Sequence, residues 1–163
     1  RPILLLKFDG NLPDDWPPGE DGTALGPYRV VHESFIPVEK IYGYVEKPRS
    51  SHAVVSLELT SYSQSLGRFT PKESENNPEI LKGQKIAVAS CSSCHNIGNV
   101  GGQMGTPWVV LAAKAVTDKD KFRKIVIDPK SLNVMSSMPP QPTFDDKTFN
   151  ALEAYFKAMM PIE

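Results

Sequence analysis

Apolar residues are spaced differently in the two parts of the chain. In the first 75 residues the spacing is that of strands. Leu4 to Phe8 is a short apolar run, and Tyr28 to Ile36 and Lys40 to Val45 are rich in β-branched and aromatic residues. Ala53 to Ser61 alternates, with Val55, Leu57 and Leu59 on one face and Ser56, Glu58 and Thr60 on the other. These runs predict a small sheet of four strands. The Pro-, Gly- and Asp-rich stretch from Asn11 to Gly26 predicts a loop. So small a sheet buries little apolar surface, and it is expected to lean on another domain or a partner.

Beyond residue 75 the period becomes helical. Pro78 to Ser90 has a proline early, Glu79 in its first turn, and apolar residues at Ile80, Leu81, Ile86, Ala87 and Ala89. Asp118 to Ile127 puts Phe122, Ile125 and Val126 inward, and Asp128-Pro129 stops it. Asp145 to Met160 repeats Phe149, Leu152, Tyr155, Phe156 and Met159 at helical spacing, and Pro161 ends it. Gly98 to Gly105 and Ser131 to Pro142 read as loops. The predicted class is therefore α+β: a small β-rich module over residues 1–75 and a helical domain over residues 76–163. The polar, proline-bounded segment Thr70 to Pro78 reads as the linker.

Composition narrows the class. The chain has 163 residues, 40% hydrophobic and 23% charged, as a globular protein does and a disordered tail does not. Its 18 basic and 19 acidic residues nearly cancel, so a nucleic-acid partner is not expected. The longest tight apolar cluster, Ile3 to Leu6, is far too short for a membrane span. Only two cysteines are present, too few for a disulfide scaffold.

Their spacing is the informative feature. Cys91-Ser92-Ser93-Cys94-His95 has the C-x-x-C-H pattern of c-type haem attachment. At the end of a helix, two thiols three residues apart can each reach one vinyl group of the same porphyrin. His95, carried beneath the ring, can then offer a nitrogen to iron. A zinc site would need further ligands, yet there is no third Cys, and His32 and His52 lie in the predicted sheet. A thioredoxin-like redox pair accounts for neither His95 nor the helical surroundings.

With these residues in place, residues 76–163 resemble a class I c-type cytochrome of the short bacterial kind. The likeness runs through the pentapeptide, Gly83, Pro107, Asp128-Pro129, Leu152-Glu153-Ala154-Tyr155-Phe156 and Ser137-Met138-Pro139-Pro140. The last of these is similar to the family's distal methionine loop. The resemblance implies that Gly83 lets the final helix cross closely, with Tyr155 at the crossing. It also implies that the carbonyl of Pro107 accepts a hydrogen bond from the haem-ligating imidazole. Ala87 departs from the pattern, which often has an aromatic there; a looser helix contact, or filling by the amino-terminal module, is expected. No family is recognised for residues 1–75.

Five methionines compete for the distal position. Met159 and Met160 end the last helix, and Met104 sits among glycines soon after His95. Met135 and Met138 share the loop. Pro139 biases Met138 toward extended backbone and stiffens the strap with Pro140, which favours Met138 over Met135 and over His52. His95/Met138 ligation raises the potential and leaves no open site. The expected function is thus one-electron transfer by one covalent haem c, between a donor dehydrogenase and an acceptor. The expected location is the periplasm, after export and loss of a leader peptide.

Two alternatives remain at this point: a permanent cytochrome subunit of a dehydrogenase complex, docked through residues 1–75, and a haem sensor or peroxidase-like enzyme. Several other residues have two readings each. Trp108 either packs on the haem or belongs to the core. Trp16 is either a partner anchor or a cover for its own small core. Lys119, Lys121, Arg123 and Lys124 form either a solvated helix face or a steering surface for an acidic partner.

Overall fold

The computed structural model describes residues 2–5, 12–16, 18, 22, 24, 28–32, 40–45 and 61–160. Contacts divide the chain into two units, Arg1–Glu39 with Glu46–Leu59, and Lys40–Val45 with Thr60–Glu163. This division differs from a cut at residue 75. Both Lys40–Val45 and the stretch ahead of residue 75 belong with the helices, for the packing reasons given below.

In the first unit, β1 (Pro2–Leu5) pairs antiparallel with β2 (Arg29–His32), with Ile3 opposite Val31 and Leu4 opposite Val30. A short 3-10 turn, Pro13–Asp15, leads into Trp16, which is buried and so is not an exposed anchor. Residues 53–60 of the fourth predicted strand, and His52, lie outside the described residues.

The second unit begins with a hairpin. β3 (Lys40–Ile41) pairs with β4 (Tyr44–Val45) across a Tyr42-Gly43 turn. Tyr42 takes a left-handed φ of 55°, which costs a non-glycine residue about 1–2 kcal/mol. Its hydroxyl donates to Glu79 Oε2 at 2.9 Å and accepts from Lys82 Nζ at 2.7 Å, and these bonds hold the turn. A Cβ on Gly43 would run into the Thr143 carbonyl, and the Gly43 N–H donates to Thr148 Oγ1 at 2.9 Å. Ile41 and Tyr44 are buried, with Tyr44 edge-on to Phe144. The hairpin is thus part of the helical core and not a strand of the amino-terminal sheet.

The expected linker is also packed. A single helical turn, α1 (Tyr62–Ser65), and two 3-10 segments, Gly67–Phe69 and Lys72–Glu75, precede the first long helix. Phe69 is fully buried, and Ser74 donates to the Pro71 carbonyl at 2.7 Å. Phe69, just ahead of the expected linker, and Pro71 and Ser74 within it are the buried residues that fix the stretch to the core.

The helices follow. α2 (Pro78–Cys91) is capped by Asn77, which accepts from the N–H groups of Glu79 and Ile80. Such a cap contributes about 1 kcal/mol. A two-residue bridge joins β5 (Asn96–Ile97) to β6 (Val100–Gly101). α3 (Trp108–Thr117) and α4 (Lys119–Ile127) come next, then α5 (Asp146–Ala158), capped by Asp145. Hydrogen bonds from Thr148 hold the Asp145 carboxyl below its usual range. α2 and α5 cross at Gly83, where a Cβ would overlap the Ala151 carbonyl and press on Tyr155 Cβ. Tyr155 donates to the Phe69 carbonyl at 2.8 Å, which ties the stretch ahead of α2 to this crossing. Ala87 is fully buried, and Phe69 supplies the core with an aromatic from outside α2.

Candidate functional site

The last turn of α2 delivers Cys91. The chain then folds back tightly: the N–H groups of Cys94 and His95 donate to the Cys91 carbonyl at 3.1 and 2.9 Å. This puts both thiols and the imidazole on one short turn. His95 is 8% exposed, and its Nδ1 lies 2.7 Å from the Thr106 carbonyl. A carbonyl only accepts, so Nδ1 carries the proton and Nε2 keeps its lone pair for a metal. The supporting carbonyl is therefore Thr106, not Pro107 as the resemblance implied. The Pro107 carbonyl is committed to the first turn of α3, where it accepts from Val110 at 2.9 Å and Leu111 at 3.2 Å.

The stretch read as a loose glycine loop is a backbone layer laid against the pentapeptide. Gly102 N–H donates to the Ser92 carbonyl at 2.8 Å, and Gly105 N–H to the Cys94 carbonyl at 2.7 Å. A Cβ on Gly102 would overlap the Ser93 carbonyl, and one on Gly105 would overlap the His95 ring. Sequence reasoning missed Gly105 and Thr106. The crowding of glycines at 98, 101, 102 and 105 was the available signal.

Cys91, Cys94, His95 and Met138 line one cleft. Leu111 from α3, Phe122 and Val126 from α4, Phe144, and Leu152 and Phe156 from α5 supply its apolar wall. Its empty volume, counted out to the open mouth, is about 520 Å³. Met138 is half-buried on this lining, whereas Met135 is 85% and Met104 81% exposed. The strap that carries Met138 leaves α4 through buried Pro129 and returns where Gln141 N–H donates to the Val126 carbonyl at 3.0 Å. Trp108 is not on the lining. It sits in the core, 4.5 Å from Phe69 ring to ring, with its indole N–H unpartnered among the described residues.

The basic run on α4 divides. Arg123 and Lys119 both bind the buried Glu153 carboxylate, at 2.8 and 2.9 Å, while Lys121 and Lys124 are exposed. Burial pushes Glu153 up, but the hydrogen bonds and charges of Arg123 and Lys119 outweigh it and hold the carboxyl below the usual glutamate range. Among the described residues, no group of three or more His, Cys, Asp or Glu could hold a metal ion. Among the described residues the zinc reading of Cys91 and Cys94 therefore finds no further ligands. An apolar cleft bordered by two thiols, one imidazole with a free Nε2 and one thioether fits a haem c.

The family model for cytochrome c oxidase, cbb3-type, subunit III matches residues 78–156, from the first turn of α2 into the last turns of α5. No curated protein and no solved structure matches the chain. Among the described residues, no helix is long and apolar enough to cross a membrane. Residues 78–156 are a class I c-type cytochrome segment, a haem-binding domain of the electron-transfer kind.

Proposed function

We propose that the protein passes single electrons through one haem c, linked through Cys91 and Cys94 and ligated by His95 and Met138. One observation carries this reading: both thiols, the imidazole and the Met138 side chain border a single apolar cleft. When bound, the haem supplies the ferric/ferrous couple. The chain's own residues do the rest. The Thr106 carbonyl accepts a hydrogen bond from His95 Nδ1–H, which orients the ring and leaves Nε2 to hold the metal. Phe122, Phe144, Leu152 and Phe156 exclude water from the cleft. Pro139 and Pro140 keep the strap extended behind Met138. If His95 and Met138 both held the iron, no position would be left there for a substrate, which supports a carrier over an enzyme.

The proposed partners are a donor dehydrogenase and an acceptor protein, met outside the cytoplasm after export. A second reading makes the protein a permanent cytochrome subunit of a larger redox complex, docked through residues 1–75. It is favoured by one finding: the matching family model describes an oxidase subunit.

The test uses the full chain matured in a host that attaches haem c. Intact mass should show the polypeptide plus one haem, and a bare polypeptide would refute the covalent link. The ferric protein should show a far-red charge-transfer band that Met138→Ala abolishes and Met135→Ala keeps. A band surviving in Met138→Ala would move the ligand to Met135. Fast carbon monoxide binding by the reduced protein would replace the carrier with a sensor or peroxidase-like enzyme. Co-purification from the native source at low salt separates subunit from shuttle.

A further inference from the structure

We propose that Arg123 is a positioning residue for Met138: its guanidinium clamps α4 onto α5 and thereby holds both ends of the methionine strap. Resting on the His95/Met138 ligation proposed above, the inference adds the device that keeps the thioether in place.

Arg123 spends its donors on one face of α5. Nε donates to Glu153 Oε1 at 2.8 Å, Nη1 to Asp146 Oδ1 at 2.9 Å and Nη2 to Asn150 Oδ1 at 3.0 Å. The guanidinium carbon also lies 5.3 Å from the centre of the Phe149 ring. The Glu153 side chain is only 8% exposed, and its second oxygen binds Lys119 at the start of α4. Shielding and the forked, charge-assisted geometry set this cluster apart from an ordinary surface ion pair.

α4 needs such a clamp. It has nine residues, too few to be stable by itself, and it buries only Phe122 and Val126. Phe122 packs edge-on against Phe149 and Phe156 of α5, at 6.3 and 5.7 Å between ring centres, and Arg123 makes the polar attachment beside it. Both ends of the strap are fastened to the last turn of α4. One end starts at Asp128-Pro129, and the other returns through the Gln141–Val126 hydrogen bond. The hydrogen bonds described in between are local: Met135 and Met138 N–H reach only Asn133 Oδ1 and Ser136 Oγ. The strap therefore inherits its position from α4, and α4 takes its position from Arg123. A lysine would supply the charge but not the three-way fork.

Exogenous imidazole, which competes with a thioether for ferric iron, reports how readily the strap opens. The experiment titrates it into the full haem-loaded chain and follows loss of the far-red band. Arg123→Gln should bind imidazole about tenfold more tightly than wild type and Arg123→Lys about threefold. Thr70→Val, which removes a 2.7 Å bond to Gln84 in the segment ahead of α2, should lose thermal stability without changing imidazole affinity. Wild-type affinity in both Arg123 variants would overturn the clamp, as would an equal shift in Thr70→Val. If Arg123→Gln yields no holoprotein, Arg123→Lys decides by itself. A wild type without the band, or a band surviving Met138→Ala, would refute the ligation and the clamp together. A normal wild type with unresponsive Arg123 variants would refute the clamp alone.

Discussion

Replacing Gly105 by Ala puts a methyl group where the His95 ring is. Its Cβ would overlap Nδ1 and Cε1 and crowd Nε2. The backbone cannot retreat without stretching the 2.7 Å bond from Gly105 N–H to the Cys94 carbonyl. The ring cannot retreat without loosening its 2.7 Å bond to the Thr106 carbonyl. Gly105 is not among the residues with positive φ, so alanine meets no backbone penalty and the effect is steric. The imidazole–Thr106 bond is the contact that yields. A net hydrogen bond of this kind is worth about 0.5–1.5 kcal/mol. Ferric iron makes the ring N–H a better donor than ferrous iron does, so the bond favours the oxidised state and its loss favours the reduced one. If the whole net bond were redox-dependent, the potential would rise by about 20–65 mV, since tenfold in a one-electron equilibrium is about 59 mV. That range is the upper bound for Gly105→Ala, read by potentiometric titration of the haem-loaded chain. An unchanged or lowered potential, with the far-red band intact, would show that the glycine layer does not position the imidazole.

Two further substitutions probe the frame around the site. Gly83→Ala should lower the urea midpoint by about 1–3 kcal/mol of stability, because α2 and α5 must move apart to admit the methyl, more than the gain in helix propensity returns. Wild-type stability would mean the crossing is looser than described. Glu153 has its folded pKa below the unfolded one, so its contribution is present above the ordinary glutamate pKa and is lost as pH falls through the folded value. The urea midpoint should therefore fall as pH is lowered below about 4, and Glu153→Gln should flatten that dependence while lowering stability at pH 7. An acid slope identical to wild type would exclude Glu153 as its source.

What could be read from the sequence was whatever side-chain chemistry announces. The pentapeptide and the Gly83 crossing with Tyr155 both depend on residue types that do one thing well. α3 was not predicted because Trp108-Val109-Val110-Leu111 is a dense apolar run with no capping side chain; Pro107 stands at its N-cap without a side-chain bond. The Lys40–Val45 hairpin looked like any other strand. Its place in the helical core depends on Tyr42, Gly43 and Tyr44 meeting Glu79, Thr148 and Phe144, and such distant pairings leave no local period. Phe69 was hidden for the same reason inside a stretch whose average is polar.

The atoms that fasten the site explain the rest. His95 is held by the Thr106 carbonyl, Gly105 by the Cys94 carbonyl, and the far end of the strap by the Val126 carbonyl. Each is a backbone acceptor that any residue could supply, so the residue identity carries no message. This is why the resemblance points to the proline next to the true acceptor as the supporting group. Pro107 has the distinctive side chain, but its carbonyl belongs to α3, and its rigid ring sets the direction in which the chain leaves Thr106. Arg123 differs in kind. Its side chain is distinctive, yet in the sequence it stands in a run of cations that reads either as a solvated face or as a steering surface. Only the placement of Glu153, Asp146 and Asn150 along α5 separates the fork that is committed inward from Lys121 and Lys124, which remain in solvent.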